Sequence, residues 1–245
     1  SPVELQRKAS EQRLAARYTE AETLYTKALV LLDREHPPDS AILLPVLDGL
    51  ALLHLGLNRL EKAQSLSLRA VTLIDNVDGL SAASTLAVRG AVLQASGDLP
   101  GAMECFRRSL AIRESMLGVD DSLTLDVRTQ IAALTQLQGK TQEAIGLYRS
   151  LLASYEGRRD ARNASFVMDN LARLLAPSKR YTEAESLYRR AVAQATQLLG
   201  ERHPNTAAAQ SALGVFLLDR KRIREAEPFL RAALASDLAS LPDGY

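Results

Sequence analysis

The stretch "RYTEAETLYTKAL" (17–29) returns almost letter for letter as "RYTEAESLYRRAV" (180–192). Weaker copies stand at 59–71, 98–110, 140–152 and 222–234. All six align on one alanine: Ala21, Ala63, Ala102, Ala144, Ala184 and Ala226, spaced by 42, 39, 42, 40 and 42 residues. A steady period of this size marks a stacked repeat, whose units bury their apolar faces only against each other.

Each copy holds two helical stretches. The first lies about a dozen residues upstream of the landmark alanine, as in "LLPVLDGLALLHL" or "SFVMDNLARLLA". Apolar residues recur there at steps of three and four, which predicts one buried stripe per helix. Short polar turns join the two stretches. Pro100 stands where the second helix of copy three should begin, a position that tolerates a missing N–H.

Some positions are small for a packing reason. Twelve residues before the landmark come Ala9, Ala51, Gly90, Ala132, Ala172 and Gly214. Seven after it come Ala28, Ala70, Ser109, Leu151, Ala191 and Ala233. Side chains without bulk let two helix axes approach closely. Five before the landmark, Gly97 and Gly139 are expected to cap the first helix with a positive φ; the other copies lack this glycine.

These features resemble the tetratricopeptide repeat. The aromatic slot of that motif holds Tyr25, Phe106, Tyr148 and Tyr188, while Ser67 and Leu230 depart from it, as Leu151 does from the second alanine. The period exceeds the usual one. Together with "LGERHPNT" (199–206) it resembles the kinesin-light-chain type of the repeat. The resemblance implies an all-α, right-handed superhelical solenoid of six helical hairpins. The repeats fall at about 3–36, 40–78, 81–118, 121–157, 160–200 and 203–240, in a single domain over 1–245.

"LGERHPNTAAA" (199–209) reads as a linker. It falls on "LGVDDSLT" (117–124) two repeats back, with His203 over Asp121 and Pro204 over Ser122. Gly118 and Gly200 are expected in the left-handed conformation at helix ends, and His203 or Asn205 as the cap of the helix that Pro204 opens. Gly79 with Ser81, and Gly157 with Asp160, should serve the other junctions. "LDREHPPDSAI" (32–42) comes four residues early, so the second helix before it should be one turn shorter and the next first helix longer. His36 sits in that linker and His54 in a helical pattern, which leaves His203 without catalytic partners.

Composition narrows the function. With 30 Lys/Arg against 29 Asp/Glu, nucleic acid is not the expected partner. Residues 158–231 carry 14 basic against 8 acidic residues, and Arg220, Lys221, Arg222, Arg224, Lys179 and Arg180 form a basic group that could meet an acidic partner or RNA. The lone Cys105 fits a reducing, cytoplasmic compartment and is expected in the core. Membrane insertion is not expected, since no stretch has 18 consecutive apolar residues. Both ends read as a domain cut from a longer protein. Site motifs of hydrolases, nucleotide binders and metal centres are missing, so neither catalysis nor a cofactor or metal is expected.

Function then falls to the surface that the first helices present inside the solenoid. Stepping off the core stripe gives Asp48, Leu52 and Leu55 in copy two; Ala87, Ala91 and Gln94 in copy three; Asp126, Gln130, Ala133 and Gln136 in copy four; and Phe166, Asp169, Asn170 and Arg173 in copy five. Amides both donate to and accept from a peptide backbone. The expected site is therefore a groove for a peptide or helical segment of a partner protein, with Asp126, Gln130, Gln136, Asp169, Asn170 and Arg173 as its candidate residues. Asn170 matches the asparagine-bearing first helix of the resembled repeats. The expected role is a non-catalytic scaffold or adaptor; the alternative is a sensor or autoinhibitory arm of a larger enzyme or signalling protein. Phe229, Leu230, Leu234 and Leu238 leave the C-terminal edge apolar, to be covered by further sequence or by self-association.

Overall fold

A computed structural model describes residues 1–34 and 39–239. Among them are twelve α-helices and no strand: α1 (Pro2–Leu14), α2 (Tyr18–Leu32), α3 (Ser40–Gly56), α4 (Leu60–Val71), α5 (Gly79–Ala95), α6 (Leu99–Leu117), α7 (Ser122–Leu137), α8 (Thr141–Gly157), α9 (Ala161–Leu175), α10 (Tyr181–Leu199), α11 (Pro204–Asp219) and α12 (Ile223–Ala239). They pair as helical hairpins, and the fold class is an all-α solenoid. His36, and the outer ends of the first and last repeats at 36 and 240, lie outside the described residues. Two compact units divide the chain, Ser1–Leu134 and Thr135–Tyr245.

The turn inside every hairpin is the same, whatever residue occupies it. Five before the landmark, Ala16, Asn58, Gly97, Gly139, Lys179 and Lys221 all take positive φ, between 55° and 84°. Each donates its N–H to the carbonyl three back, and the next residue to the carbonyl five back, as in Lys179 to Ala176 and Arg180 to Leu175. This double bond pattern is the Schellman motif, which satisfies carbonyls left open at a helix end. Glycine was legible at two of the six; backbone hydrogen bonding imposes the conformation on the rest. A left-handed residue with a Cβ costs about 1–2 kcal/mol. Ala16→Gly is therefore expected to stabilise the first hairpin by about 1 kcal/mol, read from the urea midpoint, whereas glycine inside a helix would destabilise it by a similar amount.

Junctions between hairpins use a different device. Asp39, Asp78, Asp121 and Asp160 each accept a backbone N–H at the start of α3, α5, α7 and α9. His203 does the same for α11, its Nδ1 accepting from Asn205 N at 3.1 Å, with Pro204 in the first turn. The histidine thus occupies a cap that four other repeats fill with aspartate. Gly118 (φ 89°, ψ 166°) and Gly200 (φ 86°, ψ 164°) end α6 and α10 in an extended mirror conformation rather than the left-handed helical one, a region essentially closed to other residues. Gly79 and Gly157 differ from expectation too. They lie within α5 and α8, and the positive φ before α9 belongs to Arg159. Helix α2 has 15 residues against 19 in α6 and α10, the missing turn that the early linker implied. No compensating growth appears in α3, whose 17 residues equal those of α5.

The small positions are buried as their spacing requires: all six landmark alanines are fully shielded, at 0% exposure. Glycine at one of the others, Gly90, admits an aromatic ring, as does Gly49, fourteen before its landmark. A Cβ on Gly90 would come within 2.8 Å of Phe106, and one on Gly49 would run into the Tyr25 phenol, which hydrogen-bonds Ser10 at 2.9 Å.

Ion pairs between successive second helices recur at fixed register. The glutamate one after the landmark meets the arginine four before the next: Glu22 with Arg59 at 2.8 Å, and Glu185 with Arg222. The acid twelve after meets the arginine six after: Asp33 with Arg69, and Glu156 with Arg190. The arginine five after meets the glutamate one before: Arg149 with Glu183 at 2.7 Å, and Arg189 with Glu225 at 3.4 Å. Pairs this exposed add little stability singly. Their common register ties α2 to α4 and α8 to α10 to α12.

Candidate functional site

In the second unit, α9 and α11 lie on either side of a groove of about 440 Å³, with the last turns of α10 at one end. The sequence makes this groove in two ways. Ala208, Ala209 and Ala212 give α11 a low surface there, while Ala207 and Leu213 turn into the core. On α9, Phe166, Asp169 and Arg173 follow helical steps of three and four and share one face. Phe166 is 57% exposed, unusual for a phenylalanine, and supplies apolar surface without a partner side chain to cover it.

Asp169 and Arg173 carry the charge. Arg173 comes within 4.0 Å of Asp169. Burial pushes the Asp169 carboxyl above its ordinary value, and the guanidinium offsets part of that. Asp169 Oδ1 is shielded and accepts no hydrogen bond. A groove with an apolar floor and one unsatisfied acceptor can hold a peptide side chain while taking a backbone or side-chain N–H.

The other candidates are placed differently. Asn170 lies outside this lining, its Nδ2 donating to Phe166 O in the preceding helical turn at 3.2 Å. Gln136 accepts from the Tyr148 hydroxyl at 3.3 Å, and burial raises that hydroxyl's pKa to about 12. Asp126 and Gln130 belong to the first unit and are exposed on α7. The charge of Asp126, with that of Asp121, supports the Arg113 cation, which burial disfavours. The structure thus brings two of the six together. Asn205 and the three alanines of α11 were not singled out for the groove. A partial signal was present in "TAAAQSA" (206–212), where Ala208, Ala209 and Ala212 fall off the core stripe.

Two of the six residues of the basic group are paired with carboxylates, and a third lies over an aromatic ring. Arg222 pairs with Glu185 and Glu225, Arg180 with Glu183, and the Arg220 guanidinium stacks 3.7 Å over the Tyr181 ring. His54 is buried and 3.9 Å from Glu22, with Nδ1 unpartnered; desolvation lowers its pKa despite that carboxylate. Cys105 is half-buried, and desolvation raises its pKa. Among the described residues, no group of three His, Cys, Asp or Glu side chains could hold a metal, and no helix is long and apolar enough to cross a membrane.

Hairpins in register, Schellman turns and shielded landmark alanines define a tandem helical-hairpin repeat protein. The tetratricopeptide-repeat family model matches residues 81–157 and 164–239, more than half of the chain. The chain belongs to the tetratricopeptide-repeat family. It is 24% identical over 161 residues to tetratricopeptide repeat protein 19, mitochondrial, of Mus musculus, a match covering 58% of this chain and 44% of that protein. It is similar in fold to the nearly identical TPR-like repeats of a candidate kinesin light chain of Podosopora anserina, with TM-score 0.68 and 20% identity over 82% of this chain and 97% of that one. NprR, solved in complex with its cognate peptide NprX, is similar at TM-score 0.66 and 13% identity, covering 96% of this chain and 66% of NprR.

Proposed function

We propose that the chain is a non-catalytic interaction module, one array of six repeats, that holds a peptide or helical segment of a partner protein between α9 and α11. The observation that carries this reading is the exposed Phe166 above an alanine floor, beside an Asp169 oxygen with no donor. Burial of apolar ligand side chains supplies affinity, and Asp169 with Arg173 sets register and orientation. The cognate peptide in the NprR structure, a protein similar in fold, supports a peptide as occupant. The half-buried Cys105 fits work in the reducing interior of the cell. Leu234 and Leu238, both 58% exposed on α12, offer the edge for self-association.

The test begins with affinity capture and mass spectrometry to identify a partner. Phe166→Ala combined with Arg173→Ala is then expected to weaken its binding at least about tenfold, near 1.4 kcal/mol. Far-UV circular dichroism should be unchanged, because both side chains are largely exposed. Equal affinity in the double variant would remove the groove from the reading.

A further inference from the structure

The first unit contains a cavity of about 430 Å³ among α1, α2, α3 and α5. Leu44, Pro45, Leu52 and Val88 supply apolar wall, and Asp48 is the carboxylate among the lining residues. Its Oδ2 accepts from the Thr85 hydroxyl at 2.7 Å. Its Oδ1 is shut off from solvent and accepts nothing. Desolvation holds this carboxyl near pKa 7 against the pull of the Thr85 bond.

The repeat register supplies an internal comparison. Asp48 and Asp169 occupy the same position, fifteen residues before their landmark alanines. One helical turn after Asp169 stands Arg173, which brings a cation within 4.0 Å. One turn after Asp48 stands Leu52. Copy five provides its own cation, and copy two does not. Arg13 also lines the cavity, from α1, but forms no ion pair with Asp48, and its buried Nε has no acceptor. One wall therefore lacks a donor and another lacks an acceptor.

We propose that this cavity is a binding subsite for a lysine side chain of a peptide segment, with the lysine ammonium on Asp48. The aliphatic stem packs on Leu52, Pro45 and Val88, as long cationic side chains do on apolar surface. The ammonium has three donors in a compact head. Asp48 takes one, and the nearby Ser81 and Thr85 oxygens can accept the others. The terminal torsion of an aspartate is broad, so a turn of the carboxyl presents Oδ1 to the cavity. Arg13 Nε is left to donate to a main-chain carbonyl of the same segment. This subsite is independent of the groove between α9 and α11.

Nuclear magnetic resonance of the whole chain, titrated with acetyl-Ala-Lys-Ala-amide, tests the assignment. Saturable shifts are expected at the amides of Ser81 and Thr85. Norleucine in place of lysine, which keeps the stem and removes the charge, should bind at least tenfold more weakly. Asp48→Asn should abolish that preference. Leu52→Arg places a guanidinium one turn after Asp48, as in copy five, and should block the lysine probe while the spectrum stays that of the folded chain. Four results would overturn the proposal: no shift with either probe, norleucine binding as well as lysine, a preference that survives Asp48→Asn, or probe binding that survives Leu52→Arg. Phe166→Ala with Arg173→Ala leaves this cavity intact, so failure of one site is read separately from failure of the other.

Discussion

Phe106→Ala is expected to lower the unfolding free energy by about 3–5 kcal/mol, the range for deleting a buried aromatic ring. Phe106 is 1% exposed and packs with Ala102, Met103, Val127 and Leu134. Its ring lies against Gly90, which has no side chain to move into the space. The helices that contribute this cluster are held by many other contacts, so they cannot close the gap cheaply. Small domains are stable by only about 5–15 kcal/mol, so the loss is a large part of the total. In urea titrations the midpoint should fall with the slope unchanged. Leu230→Ala serves as the control. Leu230 occupies the same slot against Gly214 but is only half-buried, and its loss should be clearly smaller. Equal losses at the two positions would contradict this account of the slot.

A second large effect is a pH dependence carried by Asp48. Its folded-state pKa, about 7, lies above the ordinary aspartate value of 3.8. Between those values the folded protein holds a proton that the unfolded chain has released. Stability from this group is therefore full below pH 3.8 and is lost as pH rises towards 7. The shift corresponds to on the order of 4 kcal/mol. Other groups act in the opposite sense: Asp78 and Glu185 have lowered carboxylate pKa values, and buried His54 is held neutral. Asp48→Asn isolates the contribution. The stability difference between wild type and variant should change by about that amount from pH 4 to pH 8, with wild type gaining on the acid side. A difference that stays flat across this range would mean Asp48 is ionised in the folded protein throughout.

The period and the six small positions were legible because packing leaves no freedom there. Ala21 and Ala184 must be small for the helices to meet, and the letters say so directly. Turns were legible only where the residue betrays the conformation. Gly97 and Gly139 do; Ala16 and Lys179 do not, because the hydrogen bonds that hold them left-handed come from backbone alone. Pro204 marked a helix start and left its cap open between His203 and Asn205; the bond from Asn205 N to His203 Nδ1 assigns it to His203. The candidate site was readable in part. Helical spacing put Asp169 and Arg173 on one face, but it could not show that Asn170 spends its amide on Phe166 O. Nor could it identify Ala208 and Ala209 as a floor, since that depends on how closely α11 approaches α9.

The paired charges on the second helices amount to a rule of succession. A repeat with glutamate one after its landmark and arginine five after it accepts a neighbour carrying arginine four before and glutamate one before. Copy five has all four, as Glu185, Arg189, Arg180 and Glu183. It can therefore follow itself, and a tandem duplication of residues 160–200 would arrive with its connectors already matched. An array built on such a unit grows by insertion without a new interface having to be invented.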